Sequence, residues 1–236
     1  MNIKELLDIL AETKFSNLAI SDNGEIQSKK VKQIVIYCNE GLLNLYSRFC
    51  LKESSVIIEM QDGVTNYHLL KKYALSSYDY ISPCETVEVP YIQDLGCEPF
   101  QEDVIRILSV YDSYGRQRPM NNSDSLLSVF TPQHNVLQVP NPLIGQSLSI
   151  EYQASHPKLC YTNLDQRIEL NPHLHGALLS YIAAMYYKNM NTQENMVKGE
   201  EQLSQFESIC QHAVNMDLVG TTMSNTNNKF SKGGWI

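Results

Sequence analysis

Two histidines two positions apart, His173 and His175, are the side chains in this sequence that most resemble a metal-binding pair. A metal ion needs ligands that converge on one point. On an α-helix, however, positions two apart point about 200° from each other, so these two rings cannot chelate a single ion. Adjacent acids such as Glu200 and Glu201 have the pattern of a solvated helix face rather than of an acid/base pair. We therefore predict neither a metal site nor a cofactor.

Sequence motifs that mark common enzymes are absent from the chain. It contains no Gly-x-Ser-x-Gly nucleophile elbow, no glycine-rich phosphate loop ending in Lys-Ser or Lys-Thr, and no His-Glu-x-x-His. None of the fourteen tyrosines has a setting that marks a nucleophile. The sequence predicts no catalytic residue, and we expect a protein that is not an enzyme.

The overall charge limits the partners of this chain. Eighteen basic and 26 acidic side chains give a net charge of −8, whereas a surface that grips nucleic acid concentrates Lys and Arg on one face. An acidic wall could still let DNA slide past, because it repels phosphate. No run approaches the ~18 apolar residues of a membrane span. The six cysteines are widely spaced without a Cys-x-x-Cys motif, which is typical of free thiols in a reducing cytoplasm.

The longest periodic segment runs from Ser28 to Leu51 and predicts a helix with one wide apolar stripe. Ser28 is expected to cap it. The stripe consists of Val31, Ile34, Val35, Cys38, Leu42, Leu45, Tyr46 and Phe49. At 1.5 Å per residue such a helix is about 36 Å long, so it needs a partner of similar length to cover the stripe.

Three lysines, Lys29, Lys30 and Lys32, fall in the first turn of this predicted helix. The positive end of the helix dipole makes cations unfavourable there by roughly a few tenths of a kcal/mol. The lysines are therefore interpreted either as a solvated face or as an interface that meets an acidic surface on a neighbouring molecule.

Other helices are predicted at both ends of the chain. Residues 2–13 have helical spacing of apolar side chains. The period returns at Asn171-Pro172, where Asn is a good cap and Pro is tolerated as the first helical residue. It starts again after Asn191, which is in capping-box register with Glu194. The stripe of this last helix includes Met196, Leu203, Phe206, Cys210 and Ala213. We expect the three longer helices to form an antiparallel bundle.

The middle of the chain has the two-residue period of strands. We expect a hairpin in which residues 54–60 turn at Asp62-Gly63 and pair with Val64–Leu70. Weaker strands are expected at 73–81 and 86–91, with a loop-rich stretch from 81 to 102. Val104–Tyr111 is predicted to be a strand buried on both faces of a sandwich. The clearest strand is Ser147–Ala154, which has one apolar and one polar face.

The composition changes sharply after Gly220. Residues 221–228 cannot bury enough apolar area to fold alone, yet the single tryptophan follows at Trp235, and interfaces use aromatic side chains as anchors. The predicted fold is therefore α+β: an antiparallel α-helical bundle with an inserted, sandwich-like antiparallel β domain and an extended C-terminal tail. We expect the bundle at 1–54 and 155–219, the β domain at 55–154 and the tail at 220–236.

Five segments occur in an informative order: IVIYCNEGLLNLYSRFCLKE, VIRILSVYDSYGRQRPM, SVFTPQHNVLQVPNPLIGQSLSIEYQASHPKL, IELNPHLHGALLSYIAAMYYKNM and KFSKGGWI. In that order they resemble the head-to-tail adaptor (connector) proteins of short-tailed bacteriophages. The most specific parts are the hairpin with Tyr111-Asp112 and Gly115, the strand ending in Glu151-Tyr152 before His156-Pro157, and the Gly-Gly-Trp terminus. The similarity runs from about Ser28 to Ile236, apart from an extra stretch at 81–102.

The resemblance implies a homo-oligomeric ring, typically of twelve copies, below the portal. The C-terminal tail would bind the portal protein through Phe230, Gly233, Gly234, Trp235 and Ile236. The other end would receive nozzle and tail-fibre proteins, and DNA would pass through the ring without sequence-specific binding. Such a protein is made in the cytoplasm of the bacterial host and belongs to the head–tail junction of the virion, with no membrane partner.

Two other functions stay open at this point. The β domain is rich in tyrosine and could recognise a host receptor or glycan, with the bundle as its mount. These tyrosines are Tyr67, Tyr73, Tyr78, Tyr80 and Tyr91. A wall-degrading hydrolase is the third alternative, but the sequence offers no acid in a recognisable setting.

Overall fold

The computed structural model describes residues 1–16, 21–22, 25–78 and 89–219. Its elements, in chain order, are α1 (Ile3–Thr13), β1 (Ser21–Asp22), β2 (Glu25–Ile26), α2 (Ser28–Arg48), β3 (Glu53–Glu59), β4 (Asn66–His68), α3 (Leu75–Tyr78), β5 (Ile92–Gln93), β6 (Val104–Asp112), β7 (Phe130–Gln133), β8 (Val136–Gln138), β9 (Ser147–Ala154), α4 (His175–Lys188) and α5 (Gln193–Asn215). All pairings between these strands are antiparallel. The described residues therefore form a mixed α+β fold.

The chain divides into two compact units. The helical unit comprises the described residues up to Cys50 together with those from Lys158 onward, and it contains the four longer helices. The sheet unit, Leu51–Pro157, contains a four-stranded and a three-stranded sheet. The chain thus leaves the helical unit once and returns to it once.

The first helix is fixed by its cap. Asn2 Oδ1 accepts a hydrogen bond from the Glu5 backbone N at 2.8 Å, and Glu5 Oε2 accepts one from the Asn2 backbone N at 3.1 Å. This reciprocal pair is a capping box. Leu6, Leu7 and Leu10 lie on the buried side of α1. The prediction of a first helix near residues 2–13 is confirmed.

The predicted long helix exists, but α2 ends at Arg48 instead of Leu51. Phe49 is extended, with φ −119° and ψ 141°, and its ring is buried, so the chain leaves the helix there while the ring stays in the core. The predicted cap at Ser28 is wrong. Ser28 already belongs to the first helical turn, and the N-cap residue is Gln27, whose side chain makes no capping bond.

Close backbone approach joins α2 to α4. A Cβ added to Gly41 would lie 2.9 Å from both Leu178 Cδ1 and Tyr181 Cδ1, so only glycine fits there without displacement. Asn44 Nδ2 donates a hydrogen bond to the Tyr181 hydroxyl oxygen at 3.2 Å. Tyr46 donates its hydroxyl hydrogen to the Glu169 carbonyl oxygen, and burial together with the charge of Glu169 raises the pKa of Tyr46 to about 12.

On its other side α4 packs against α5. A Cβ on Gly199 would lie 3.2 Å from the Ala184 carbonyl oxygen, whereas one on Gly176 would lie 3.5 Å from Ile209 Cδ1. Early α4 residues therefore lie beside late α5 residues, and the two helices are antiparallel. Buried α4 side chains face both neighbours, since the helix buries most of its circumference.

The starts of α4 and α5 test two predicted caps. Asn171 Oδ1 accepts a hydrogen bond from the His173 backbone N at 3.1 Å, which confirms this cap, although it opens a 3₁₀ turn that leads into α4. The cap predicted at Asn191 is wrong by one residue. Asn191 has a left-handed φ of 53° and ends the connection, so Thr192 caps α5 by accepting a bond from the Asn195 backbone N at 3.3 Å.

The four-stranded sheet has the order β5-β3-β9-β6. Strand β9 occupies Ser147–Ala154 as predicted, and Leu148, Ile150, Tyr152 and Ala154 form its buried face. The opposite face is half-buried, but Gln153 on it is fully buried. Strand β6 is also present, extended by Asp112, but it lies at the edge of the sheet and pairs with β9 alone among the described strands. Along β6, Arg106 is exposed and Ile105, Ile107 and Leu108 are only half-buried, so the prediction that this strand is buried on both faces in a sandwich is wrong.

The hairpin predicted at Asp62-Gly63 is wrong. A turn is present, with Gly63 at φ 71°, but β4 then pairs with β8 in the separate sheet β4-β8-β7. Strand β3 pairs with β9 over its whole length and with the short β5 on its other edge, so β4 has no free position beside it. The strand predicted at 73–81 is also wrong, since 71–73 is a 3₁₀ turn and α3 follows; residues 79–88 lie outside the described ranges.

Candidate functional site

One of the two predicted interfaces cannot be located in the structure. The residues predicted to bind the portal protein lie beyond Val219, the last described residue: Phe230, Gly233, Gly234, Trp235 and Ile236. The other predicted interface is the start of α2, which carries Lys29, Lys30 and Lys32. The structure describes these three lysines, so the start of α2 is the candidate site.

The start of α2 is positive for local reasons. Its first turn contains no acidic residue, and Gln27 supplies no side-chain capping acceptor. The Lys30 backbone N donates a hydrogen bond to the Gln27 carbonyl oxygen at 2.8 Å. The N–H groups of a first helical turn and the helix dipole add to the charges of the lysines. An anionic partner is therefore favoured at this surface.

Aromatic rings position two of the three ammonium groups. Lys30 Nζ lies 5.8 Å from the ring centre of Tyr186 on α4, and Lys32 Nζ lies 5.5 Å from the ring centre of Tyr161. A cation–π contact orients a charge without neutralising it. In the part of the chain that the structure describes, none of the three lysines forms an ion pair.

The exposed side of α2 is apolar as well as cationic. Ile36 and Leu43 are 47% and 55% exposed. At 100° per residue, Lys29, Lys32, Ile36 and Leu43 lie within about 60° of one another around the helix axis. Glu40 lies about 20° outside this arc and falls between Ile36 and Leu43 along the chain. We call this surface the α2 face: Lys29, Lys32, Ile36, Glu40 and Leu43. The α2 face thus combines cationic and apolar side chains.

Sequence reasoning identified the lysines of this surface and missed its apolar residues. Ile36 and Leu43 are absent from the predicted stripe, which the structure confirms as the buried side of α2 at Ile34, Val35 and Cys38. The signal was available, because two large apolar residues seven positions apart on the polar side of a helix also form a face.

A second exposed face lies on α5. Met196 and Val197 are 52% and 53% exposed, and the exposed Glu200 and Glu201 follow one turn later. We call these four residues the α5 face. The prediction that Met196 lies on the buried stripe is wrong, because α5 begins to bury side chains only at Gly199. The buried residues are Gly199, Phe206, Cys210 and Ala213.

Three tyrosines of the sheet unit form a core instead of a recognition surface. Tyr67, Tyr73 and Tyr91 are buried. The ring centres of Tyr73 and Tyr91 are 4.7 Å apart in a stacked pair, and those of Tyr67 and Tyr91 are 5.1 Å apart edge to face. The Tyr78 side chain and Tyr80 lie outside what the structure describes. The buried tyrosines cannot stack on a sugar, which removes much of the basis for the glycan-binding alternative.

An open groove of about 510 Å³ lies beside β3 in the sheet unit, and its carboxylates hold loops together. Asp94 accepts hydrogen bonds from the backbone N of Ser76 and of Phe100, both at 2.8 Å. Burial alone would raise the pKa of Asp94, but the hydrogen bond donated by the Ser76 hydroxyl, together with these backbone bonds, outweighs burial and lowers the pKa. Asp103 accepts a bond from the Tyr152 hydroxyl at 3.1 Å, and burial raises the pKa of Tyr152 to about 12. These groups are structural and are not poised for proton transfer.

Metal ligands do not converge in the described ranges, where no three His, Cys, Asp or Glu side chains lie close enough to hold an ion. His175 Nε2 lies 3.2 Å from the Leu170 carbonyl oxygen, and burial lowers the pKa of His175. Among the described helices, none has the length and apolar composition needed to cross a membrane.

No protein-family model matches this chain, and no curated protein matches it either. A proposal about its function therefore depends on its own residues and their geometry, together with the resemblance described above.

Proposed function

We propose that this chain is a structural virion protein, an adaptor that assembles as a ring under the portal of a short-tailed bacteriophage. The ring extends the DNA channel and provides the platform for nozzle and tail-fibre proteins during head completion and genome delivery. In this proposal the fold is an antiparallel helical bundle with an inserted, sandwich-like β domain and an extended C-terminal tail. The protein acts at the head–tail junction and catalyses no reaction.

The observation that carries this proposal is the α2 face. A chain that stayed alone would keep Ile36 and Leu43 exposed beside lysines that have no acidic partner within the described residues. Copies arranged in a ring can cover such a surface on every subunit, because each subunit has two neighbours. An assembly component is therefore favoured over a protein that works as a monomer.

The tail supplies the proposed contact with the portal. Burial of about 150–250 Å² of an aromatic such as Trp235, at ~25 cal/mol per Å², stabilises the contact by about 4–6 kcal/mol before ordering costs. Repetition of the contact around the ring turns moderate anchors into a tight joint, because each bound tail raises the effective concentration of the next. The net charge of −8 suits the lining of a channel that DNA must pass without sticking.

The proposal is tested by measuring the mass of the complex formed with the portal protein of the same virion. The full chain should form a stoichiometric ring, and a chain ending at Val219 should not attach. Trp235→Ala should weaken attachment and leave the far-UV circular dichroism unchanged. Tyr114→Ala, which removes an exposed aromatic at a β-turn of the sheet unit, is the matched control and should attach like the wild type.

Two results would contradict the proposal. One is a full chain that stays monomeric in the presence of the portal protein; the other is a Trp235→Ala variant that attaches as well as the wild type. The same preparations should not bind host surface polysaccharide, and saturable binding there would favour the receptor-binding or glycan-binding function.

A further inference from the structure

The α2 face and the α5 face match each other in spacing and in charge. On α2, Lys32 precedes Ile36 by four residues, and on α5, Glu200 follows Met196 by four. In each helix the charged and the apolar side chain are thus one turn apart, about 6 Å along the axis. Because the order is reversed, two antiparallel helices would place lysine against glutamate and isoleucine against methionine at the same time.

We propose that the α2 face of one copy packs antiparallel against the α5 face of a second copy. This inference rests on the proposed function, since it assigns the contact between neighbours in the ring. In this arrangement Glu40, one turn beyond Ile36, lies opposite Thr192, the N-cap residue of α5 in the second copy, where the helix dipole favours an anion. The acid already in the first turn of α5, Glu194, is ion-paired with Lys198 at 2.7 Å.

The two faces meet between copies and not within one chain. Both are exposed in the single chain, although α2 and α5 touch elsewhere in the same chain through the ion pair between Arg48 Nη1 and Glu207 Oε2 at 2.6 Å. A contact between two different patches is heterologous, and such contacts close into a ring when the rotation between neighbours permits it. An antiparallel two-fold contact of the α2 face with itself would set Ile36 against Ile36 and Lys32 against Glu40, but such a contact closes as a dimer and cannot build a ring.

Charge favours a second copy as the occupant of the α2 face. Acids outnumber bases in this chain, 26 to 18, so a cationic face finds a complementary surface on another copy, and complementary potentials fix both partner and register. The exposed Asp8 and Glu12 on α1 offer a competing acidic surface. In the antiparallel register that sets Ile9 against Ile36, Lys32 would face Thr13 and Glu40 would face Glu5, so this surface matches the charges of the α2 face less well than α5 does.

Charge reversal on each face tests the pairing. The α2 variant carries Lys29→Glu and Lys32→Glu, and the α5 variant carries Glu200→Lys and Glu201→Lys. Either variant alone sets like charges against each other and should raise the concentration needed for ring assembly on the portal by on the order of tenfold or more. The variant with all four substitutions should assemble like the wild type. A mixture of the two double variants should also assemble, because each reversed face then meets an oppositely charged one.

The control is an α1 variant, Asp8→Lys with Glu12→Lys, which changes the net charge as much as the α5 variant does. It should assemble like the wild type and should not rescue the α2 variant, and circular dichroism should show that every variant is folded. If the wild type forms no ring, the proposed function and this pairing fall together. If the wild type forms a ring and both double variants assemble as well as the wild type, the pairing is wrong and the proposed function stands. The same holds if the α1 variant rescues the α2 variant and the α5 variant does not.

Discussion

Gly41→Ala is a direct test of the close packing of α2 on α4. The added Cβ would lie 2.9 Å from Leu178 Cδ1 and from Tyr181 Cδ1, closer than carbon atoms pack. Neither neighbour can move away easily. Leu178 is fully buried, and Tyr181 is fixed by an edge contact with Phe206, at 5.4 Å between ring centres, and by its hydrogen bond with Asn44.

The expected magnitude is the balance of two terms. Overpacking a filled core costs about 1–3 kcal/mol, whereas replacing glycine by alanine inside a helix contributes a gain of about 1 kcal/mol. Gly41→Ala should therefore lower the free energy of unfolding by up to about 2 kcal/mol. Gly176→Ala is the matched control, since its Cβ would lie 3.5 Å from Ile209 Cδ1, an ordinary contact, and it should be neutral or stabilising.

Guanidinium denaturation followed by circular dichroism at about 222 nm measures both variants, because the four longer helices all belong to the helical unit and backbone helicity is the signal lost on unfolding. The two alanine variants should differ by about 1–3 kcal/mol, with Gly41→Ala the less stable. If Gly41→Ala is as stable as Gly176→Ala, α2 and α4 do not approach as closely as described, and the reasoning is refuted.

Three further predictions concern other parts of the chain. Asn39→Ala should lower the free energy of unfolding by about 1–3 kcal/mol, because the Asn39 amide exchanges hydrogen bonds of 2.9 and 3.1 Å with the Leu159 backbone; guanidinium denaturation measures the loss. Asp94 has a folded-state pKa below its ordinary 3.8. Ionised Asp94 therefore stabilises the folded protein above pH 3.8, and this contribution is lost as the pH falls through the folded-state pKa. Acid titration by near-UV circular dichroism should show this loss in the wild type and a flatter profile in Asp94→Asn. Iodoacetamide at about pH 8 should alkylate exposed Cys160 and spare Cys38, whose pKa burial raises to about 12; equal labelling, read by peptide mass spectrometry, would contradict the burial of the α2 stripe.

The helices could be predicted from the sequence because their signals are local. The periodic stripe of α2 and the cap at Asn171 each depend on residues within a few positions of one another. The errors concern the helix ends. The N-cap of α2 is Gln27 instead of the predicted Ser28, and the N-cap of α5 is Thr192 instead of the predicted Asn191. A cap depends on the dihedral angles of one residue, here the left-handed φ of Asn191, and apolar spacing does not determine these.

The sheets could be predicted only in part, because strand pairing is not local. Strand β9 has a strong alternating pattern and lies where predicted. The partner of β4 could not be found from the turn at Asp62-Gly63, since the neighbouring positions beside β3 are taken by β5 and β9. Competition among strands far apart in the chain decides such pairings, and the turn residues between two strands carry no information about those competitors.

The difference between local and non-local signals also explains why the sequence did not reveal the exposed apolar residues of α5. A buried stripe and an exposed interface on one helix have the same period, so spacing alone cannot separate Met196, predicted to be buried, from Phe206, which is buried. The separation depends on where α4 lies against α5, and α4 covers only the part of α5 from Gly199 onward. Apolar residues that a long helix carries beyond the reach of its own partner are therefore the ones that a second molecule can cover, which is why the α5 face lies at the start of α5.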